Sequence, residues 1–411
     1  MMKKIYLGSF FLVNTITGLS GMYLTRPYER MLLVERRDPF CLQASIFVEH
    51  GYGTTGYNDD GRSVNALRIW NNDQNALKML EGFDPASEIG QLRIQIGAND
   101  DGTRGHFTLR GDLDYRFGIG LGAVASLPCD FSLSAYLSFY QLKLHNVLWE
   151  NKTLNITADD ARVRTYLTDD FFAHVRSLGG LELDGWTRSG IGDFTLMAEW
   201  RRNFEQKKDF LQNVQLGARI AAILPTGKKS DEDRIFALAF GNDGAFGGLL
   251  GADLLLTVAN YLRLGVDVEL THLFSSTRER RIKTHVNQTE FLLLQKALVL
   301  RDYGLTQRFN LSAELYRFFG GLSIKAGYQF LRHGDDTYTV CDNRFSSNIA
   351  TSAASLQEWT LHNLFLIVSY DGSHDECART HRYVSAFIKM PFNGQYAVGF
   401  KTIGMVFALD F

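Results

Sequence analysis

From Phe107 onward the chain alternates apolar and polar residues with a period of two, which places successive side chains on opposite faces of a strand. Phe107 to Arg116 sets Phe107, Leu109, Gly111, Leu113 and Tyr115 against Thr108, Arg110, Asp112, Asp114 and Arg116. Phe131 to Phe139 repeats the pattern, as do Asp193 to Arg201, Val214 to Leu224, Leu262 to Leu270, Phe309 to Leu315 and Leu322 to Phe330. Trp359 to Val368 and Tyr383 to Met390 are noisier, and a last strand runs to Phe411. With a first strand over Ala44 to Tyr52, and one between the loop that ends near 246 and the turn at Asn260-Tyr261, the count is twelve; it becomes fourteen if Leu92 to Ile96 is a strand and the Gly118 to Gly122 run begins another. Both counts are even, as expected of single-chain bacterial barrels.

The connections alternate in length. Short turns are read near Pro128-Cys129-Asp130, 204–212, Asn260-Tyr261 and Phe319-Gly320-Gly321, and long loops over about 148–189, 226–246, 275–306 and 334–356. The links near 371–380 and 391–395 fit this poorly. An outer-membrane barrel sorts its links in this way, with short periplasmic turns and long extracellular loops, whereas a soluble sandwich has no reason to. The predicted fold class is therefore all-β: a transmembrane up-and-down antiparallel β-barrel of 12 strands, or 14. Aromatics at strand ends predict two girdles, with Trp200, Tyr261, Tyr316, Phe318, Phe319 and Tyr370 at the periplasmic rim and Trp149, Phe274, Phe330 and Trp359 at the other.

The first 105 residues read differently. Met1-Met2-Lys3-Lys4, the apolar run Ile5 to Val13, and Gly18 and Ser20 at a cleavage site predict a signal peptide over 1–20, followed by a periplasmic segment over 21–42 and the barrel over 43–411. Between about 54 and 105 the period shifts, and Leu67, Trp70, Leu77, Met79 and Leu80 within Asn65 to Phe83 predict a short amphipathic helix, either in an extracellular loop or as a plug. At the other end, Thr402 to Phe411 turns Ile403, Met405, Phe407, Leu409 and Phe411 to one side. This tail resembles the C-terminal insertion signal of outer-membrane barrels, which implies that Gly404, Phe407, Leu409 and Phe411 are read by the barrel-insertion machinery.

Composition removes competing classes. A formal charge of −2 argues against nucleic acid as a partner, leaving outer-membrane lipid and a small-molecule solute. The 30 Phe and 17 Tyr, with the low net charge, exclude disorder, and 38 Gly with only 6 Pro suit membrane strands. Mean hydropathy of −0.12 looks soluble, yet an apolar lipid face averaged with a charged lumen face gives the same value. The spacing of Cys41, Cys129, Cys341 and Cys377 matches no zinc pattern, and no cofactor is expected.

Candidate chemistry lies on the polar strand faces. The expected lumen-facing charges are Arg110, Asp112, Asp114, Arg116, Asp193, Glu199, Arg201, Arg219, Asp253, Arg263, Asp267, Glu269, Arg308, Glu314 and Lys325. The two signs nearly balance, which predicts salt-bridge networks across the lumen and no strong ion preference. Gly118-Ile119-Gly120-Leu121-Gly122 lacks the helix of a nucleotide loop, and Pro225-Thr226-Gly227-Lys228-Lys229 lacks its glycine spacing. His333-Gly334-Asp335-Asp336 has the residue types to orient a water at a rim-site hydrolase, and His374-Asp375-Glu376-Cys377 those of a metal turn; a solvated turn is the simpler reading of each.

One longer stretch is more specific. Gly190-Ile191-Gly192-Asp193 opens a strand, and Leu224-Pro225-Thr226-Gly227 ends the next. The pair resembles a motif of the outer-membrane proteins associated with aromatic-compound degradation, which are similar in style to long-chain fatty-acid channels. That resemblance implies passage of hydrophobic or aromatic small molecules, against which the charged lumen and long loops of this sequence stand. The expected function is a channel or facilitator for passive passage of small solutes; a closed structural or surface-interaction barrel is the alternative.

Overall fold

In the computed structural model the described residues are 28–34, 42–206, 208, 210–259, 261–372 and 380–411. Twelve antiparallel strands close into a barrel: β1 Leu42–Tyr57, β2 His106–Ser126, β3 Phe131–Asn151, β4 Phe194–Glu205, β5 Leu211–Leu224, β6 Gly247–Val258, β7 Leu262–Leu273, β8 Thr306–Phe319, β9 Leu322–His333, β10 Trp359–Asp371, β11 His381–Gln395 and β12 Ala397–Asp410. A separate piece, Trp186–Ile191, extends the β4 position upward along β3. Closure is by β1, which pairs with β12 from Gln43↔Asp410 to Tyr57↔Ala397 and with β2 over Leu42 to Glu49. At the seam Gln43 Nε2 donates to Asp410 Oδ1 at 2.8 Å, and His381 bridges Asp410 and Asp371.

The twelve-strand count replaces the fourteen-strand alternative for two local reasons. Leu92 to Ile96 belongs to a helix, Glu88–Ile96, capped by the Ser87 side chain at the Gly90 N–H and stopped by Gly97 at φ +54°. Gly118 to Gly122 lies inside β2, where the register shifts at Arg110/Asp112 and Tyr115/Phe117 act as bulges. Asn65 to Phe83 is not one helix; it holds the short turns Ala66–Arg68 and Ala76–Met79. The link between β11 and β12 is Tyr396 alone, at φ +47°, so no loop occupies 391–395.

Ten of the twelve strands turn a large apolar side chain outward into a common band. Ile46, Leu121, Leu133, Leu196, Ile220, Leu250, Val266, Leu311, Leu364 and Ile403 are all exposed, the band a barrel presents to lipid. No described helix is long and apolar enough to cross a membrane. Phe319, Tyr261, Phe318 and Tyr370 ring the short-turn end. Trp359 does not join the opposite girdle; it is buried, with its ring stacked on His333 at 6.0 Å. Trp149 likewise packs within the cap, against Phe107 and Phe171.

At the long-loop end the connections fold into a common cap. Leu67, Met79 and Ile96 from 58–105 share one apolar core with Leu167 and Phe171 from 152–185, Phe236 and Phe240 from 225–246, Phe291 from 274–305, and Trp359 and Phe400 of the barrel wall. A three-stranded sheet of Ser276–Arg281, Lys296–Asp302 and Thr337–Val340 roofs the far side.

Candidate functional site: a strapped lumen beneath a loop cap

The wall facing the lumen is divided. On β4 to β9 the inward positions carry most of the charges and amides; on β10 to β12 and β1 they include Phe365, Ile367, Phe387, Val398, Phe400, Val406 and Phe47, interrupted by Glu49, Asn363 and Lys389. Sequence alternation located the first set and missed the second, because here both faces of the strand are apolar. The signal was the noisy alternation of Trp359 to Val368, which is that of a strand with apolar residues on both sides.

Of the expected lumen charges, Glu199, Arg201, Arg219, Asp253, Arg263, Asp267, Glu269, Arg308, Glu314 and Lys325 lie at the inward positions of their strands. Arg110, Asp112, Asp114 and Arg116 do not. They point outward, in pairs such as Arg110–Glu150 at 3.1 Å and Arg116–Asp114 at 3.2 Å, while Leu109, Leu113 and Tyr115 face inward beneath the cap. β2 has 21 residues, which at roughly 3.3 Å per residue exceeds the lipid band by a factor of two even when tilted. Its upper half therefore stands clear of lipid, where the apolar face turns to the cap and the charged face to water.

Asp193 is also misplaced as a lumen charge. It sits buried in the two-residue break between Ile191 and Phe194, where Oδ1 accepts the Gly227 N–H at 2.8 Å and Oδ2 the Asn242 N–H. Thr226 Oγ1 donates to Gly192 O at 3.2 Å and accepts the Phe194 N–H at 2.8 Å. A Cβ at Gly227 would lie 2.3 Å from Phe240 O. The Gly-Asp and Pro-Thr-Gly stretches thus form one strand-end lock, and their motif spacing has a structural cause.

His333 is fully buried, with Nδ1 2.6 Å from Thr306 Oγ1 and Nε2 3.0 Å from Asp336 Oδ1. Both nitrogens are committed, so this pair offers no base to a substrate at the rim. His374 to Cys377 fall outside the described residues, as does 1–20.

The lumen is crossed by a segment that the sequence placed in the periplasm. Residues 28–34 run through the barrel, around a short turn at Arg30–Leu32. Arg30 lies 3.0 Å from Glu199, 2.6 Å from Asp253 and 3.5 Å from Asp267. Arg219 reaches Asp267 at 2.6 Å, Glu269 at 3.2 Å and Asp253 at 3.4 Å; Arg308 reaches Glu269 at 3.2 Å. Tyr28 donates its hydroxyl to Glu269 at 2.7 Å and packs on Tyr136 at 5.1 Å. The wall supplies four carboxylates and three guanidiniums to this cluster, counting Arg201 on Glu199, and Arg30 is the fourth cation. On the opposite side Met31 and Leu32 pack into Phe365, Ile367, Phe387 and Val406. The strap reads both halves of the wall. No periodicity announces it, because each of its residues is chosen by a different strand.

The strap separates two spaces. Below it a cavity of about 730 Å³, charged along β4 to β9, reaches the short-turn rim at Ser126, Leu127 and Asp130. Above it about 70 Å³ remain among Phe47, Tyr140, Phe365, Phe387 and Phe400, with Glu49, Gln329, Asn363 and Lys389 also on its wall. An apolar cavity of about 150 Å³ holds benzene, so the upper space as it stands is too small for even one ring.

No protein-family model matches the chain, and no curated protein matches it. Among solved structures it is similar to an outer membrane channel of Pseudomonas putida F1, at 13% identity over 92% of this chain and 100% of that one, with a TM-score of 0.47. It is similar to a Pseudomonas aeruginosa FadL homologue at 11% identity over 91% and 90% of the two chains, with a TM-score of 0.32. It is also similar to the calcium-bound outer membrane phospholipase dimer of Salmonella typhi, at 9% identity over 91% and 94%, with a TM-score of 0.29. At these values the likeness leaves the activity to the geometry.

Proposed function

We propose that the chain is a bacterial outer-membrane channel that passes small, largely apolar solutes passively, and that the strap at 28–34 closes it at rest. The observation that carries this reading is the strap itself, held to the barrel wall by noncovalent contacts and lying between a 730 Å³ vestibule and the 70 Å³ space above it. A barrel serving only as a scaffold has no use for a large vestibule on one side of a removable partition. The outward apolar band supports the membrane setting, and Phe47, Phe365, Phe387 and Phe400 supply apolar surface beside Glu49, Asn363 and Lys389 for a solute with few polar atoms.

The close-packed cap and the 70 Å³ remnant also suit the second reading, a structural or surface-contacting barrel whose lumen stays closed. Planar-bilayer conductance and liposome swelling separate the two. The channel reading expects low conductance from the intact chain and a large rise when residues 28–34 are replaced by a Gly-Ser stretch. No flux of any solute from either form would overturn it in favour of the closed barrel.

A further inference from the structure

The strap carries, in consecutive residues, a positive charge and an aliphatic body, and the barrel wall is built to receive both. Arg30 is held at 3.0 Å from Glu199, 2.6 Å from Asp253 and 3.5 Å from Asp267. Met31 and Leu32 pack into Phe365, Ile367, Phe387 and Val406. Gly327 leaves room for the methionine, since a Cβ there would collide with Met31 Cε. All three carboxylates line the 730 Å³ vestibule, as does Val406, so this surface is reached from solvent at the short-turn rim.

Closure alone does not require the charges. A buried ion pair stabilises little more than an apolar contact of the same size, because desolvation consumes most of the attraction. What the charges do is set what can replace the strap. With the strap withdrawn, Glu199 keeps Arg201 at 2.7 Å, but Asp253 and Asp267 share Arg219, at 3.4 and 2.6 Å, with Glu269. Glu29 leaves with the strap as well, and the group it releases, Arg308, still has Glu269 at 3.2 Å. Four carboxylates then face three guanidiniums. A ligand shifts such an equilibrium only through its preference for the vacated wall. An uncharged apolar solute replaces Met31 and Leu32 and leaves the missing charge unfilled, and an anion adds to the excess.

We infer that the solute which displaces the strap is a small amphiphilic cation, an ammonium or guanidinium group on a short aliphatic chain, with the charge among Glu199, Asp253 and Asp267 and the chain against Phe365, Ile367 and Phe387. This rests on the reading that the strap closes a channel, and it narrows the largely apolar solute of that reading to one bearing a single positive charge.

Calorimetric titration in detergent tests it on the chain with residues 28–34 replaced by a Gly-Ser stretch. The probe is hexylamine, protonated at neutral pH; hexanol, with a chain of the same length and no charge, and methylamine, the head alone, are the controls. One hexylammonium per chain should bind at least tenfold more tightly than either control, and at least tenfold more tightly than to the intact chain, where the strap competes. Asp253→Asn with Asp267→Asn should weaken hexylamine at least tenfold and leave hexanol unchanged while heat-modifiable gel mobility is kept. In planar bilayers hexylamine should raise the open probability of the intact chain at least fivefold, and hexanol should not. Hexylamine bound no more tightly than hexanol, or bound equally by the intact and strap-replaced chains, overturns the inference. The comparison of ligands decides the matter even if the double variant fails to fold, and the bilayer comparison does so if the strap-replaced chain fails. Current through the strap-replaced chain without a preference for hexylamine overturns the inference and leaves the channel standing; a preference without current from either form supports the cation site and overturns the channel.

Discussion

Replacing Arg30 by Met keeps most of the methylene stem and removes the charge that ties the strap to Glu199, Asp253 and Asp267. Truncating one partner of a fully buried ion pair costs about 3–5 kcal/mol. Arg30 and its partners keep about 10% of their side-chain surface exposed and border the 730 Å³ vestibule, so water screens part of that loss. A working figure is roughly 1–3 kcal/mol, and at about 1.4 kcal/mol per decade the population with the strap released rises about 5- to 150-fold. Tyr28, Met31 and Leu32 still hold the segment, so release is partial. Single-channel recording in planar bilayers reads the change as open probability. The double variant Arg30→Met with Asp253→Asn should open less than the sum of its two single variants, because the carboxylate stranded by the first change is neutralised by the second. An open probability identical to wild type in Arg30→Met would refute the claim that ion pairs hold the strap, and strictly additive effects would show that Asp253 is not its partner.

Other outcomes follow from the same geometry. Asp193→Ala leaves the Gly227 and Asn242 N–H groups without their acceptor and should cost about 1–3 kcal/mol, measured as a lower temperature for loss of heat-modifiable gel mobility, with the lumen conductance unchanged. In the cap, burial would raise the Asp243 carboxyl, but Arg280, Arg278 and Arg301 overcome it and hold it at about 2. A folded value below the usual 3.8 means that Asp243 stabilises the cap above about pH 4 and that this contribution, roughly 2 kcal/mol, is lost as pH falls toward 2. Limited pepsin digestion of the loops between pH 4 and 2 should show cleavage setting in over that window, and a flat profile counts against it. Phe387→Ala enlarges the 70 Å³ space toward the size that holds one ring, so benzene uptake into proteoliposomes should increase more than uptake of a sugar of similar mass. Equal increases would mean that the aromatic wall does not select.

The barrel was legible because its determinant is local. A strand's side chains alternate whatever it pairs with, so the phases of Phe131 to Phe139, Leu262 to Leu270 and Thr402 to Phe411 could be read residue by residue, and short and long links sorted the strands into an up-and-down order. Alternation gives two faces but does not say which is inside. In β2 that distinction reversed for Arg110, Asp112, Asp114 and Arg116, because bulges shift the phase and a 21-residue strand leaves the membrane halfway along. A run of Gly-Asp and Pro-Thr-Gly could be noticed as a motif, yet only the fold brings Asp193 to the Gly227 N–H and shows it to be a lock.

What the sequence determined by itself is the set of elements: strands, turn positions, a long loop region at 54–105 and an amphipathic last strand. What tertiary structure alone decided is where the lumen closes and what lines it. Arg30 meets Glu199, Asp253 and Asp267 from three strands, 169 to 237 residues away, and no window of sequence contains that coincidence. The aromatic wall is hidden for a related reason. Phe365, Phe387 and Phe47 are ordinary strand residues until closure of β1 on β12 brings their strands side by side, and only then do they form one surface against which Met31 and Leu32 can pack.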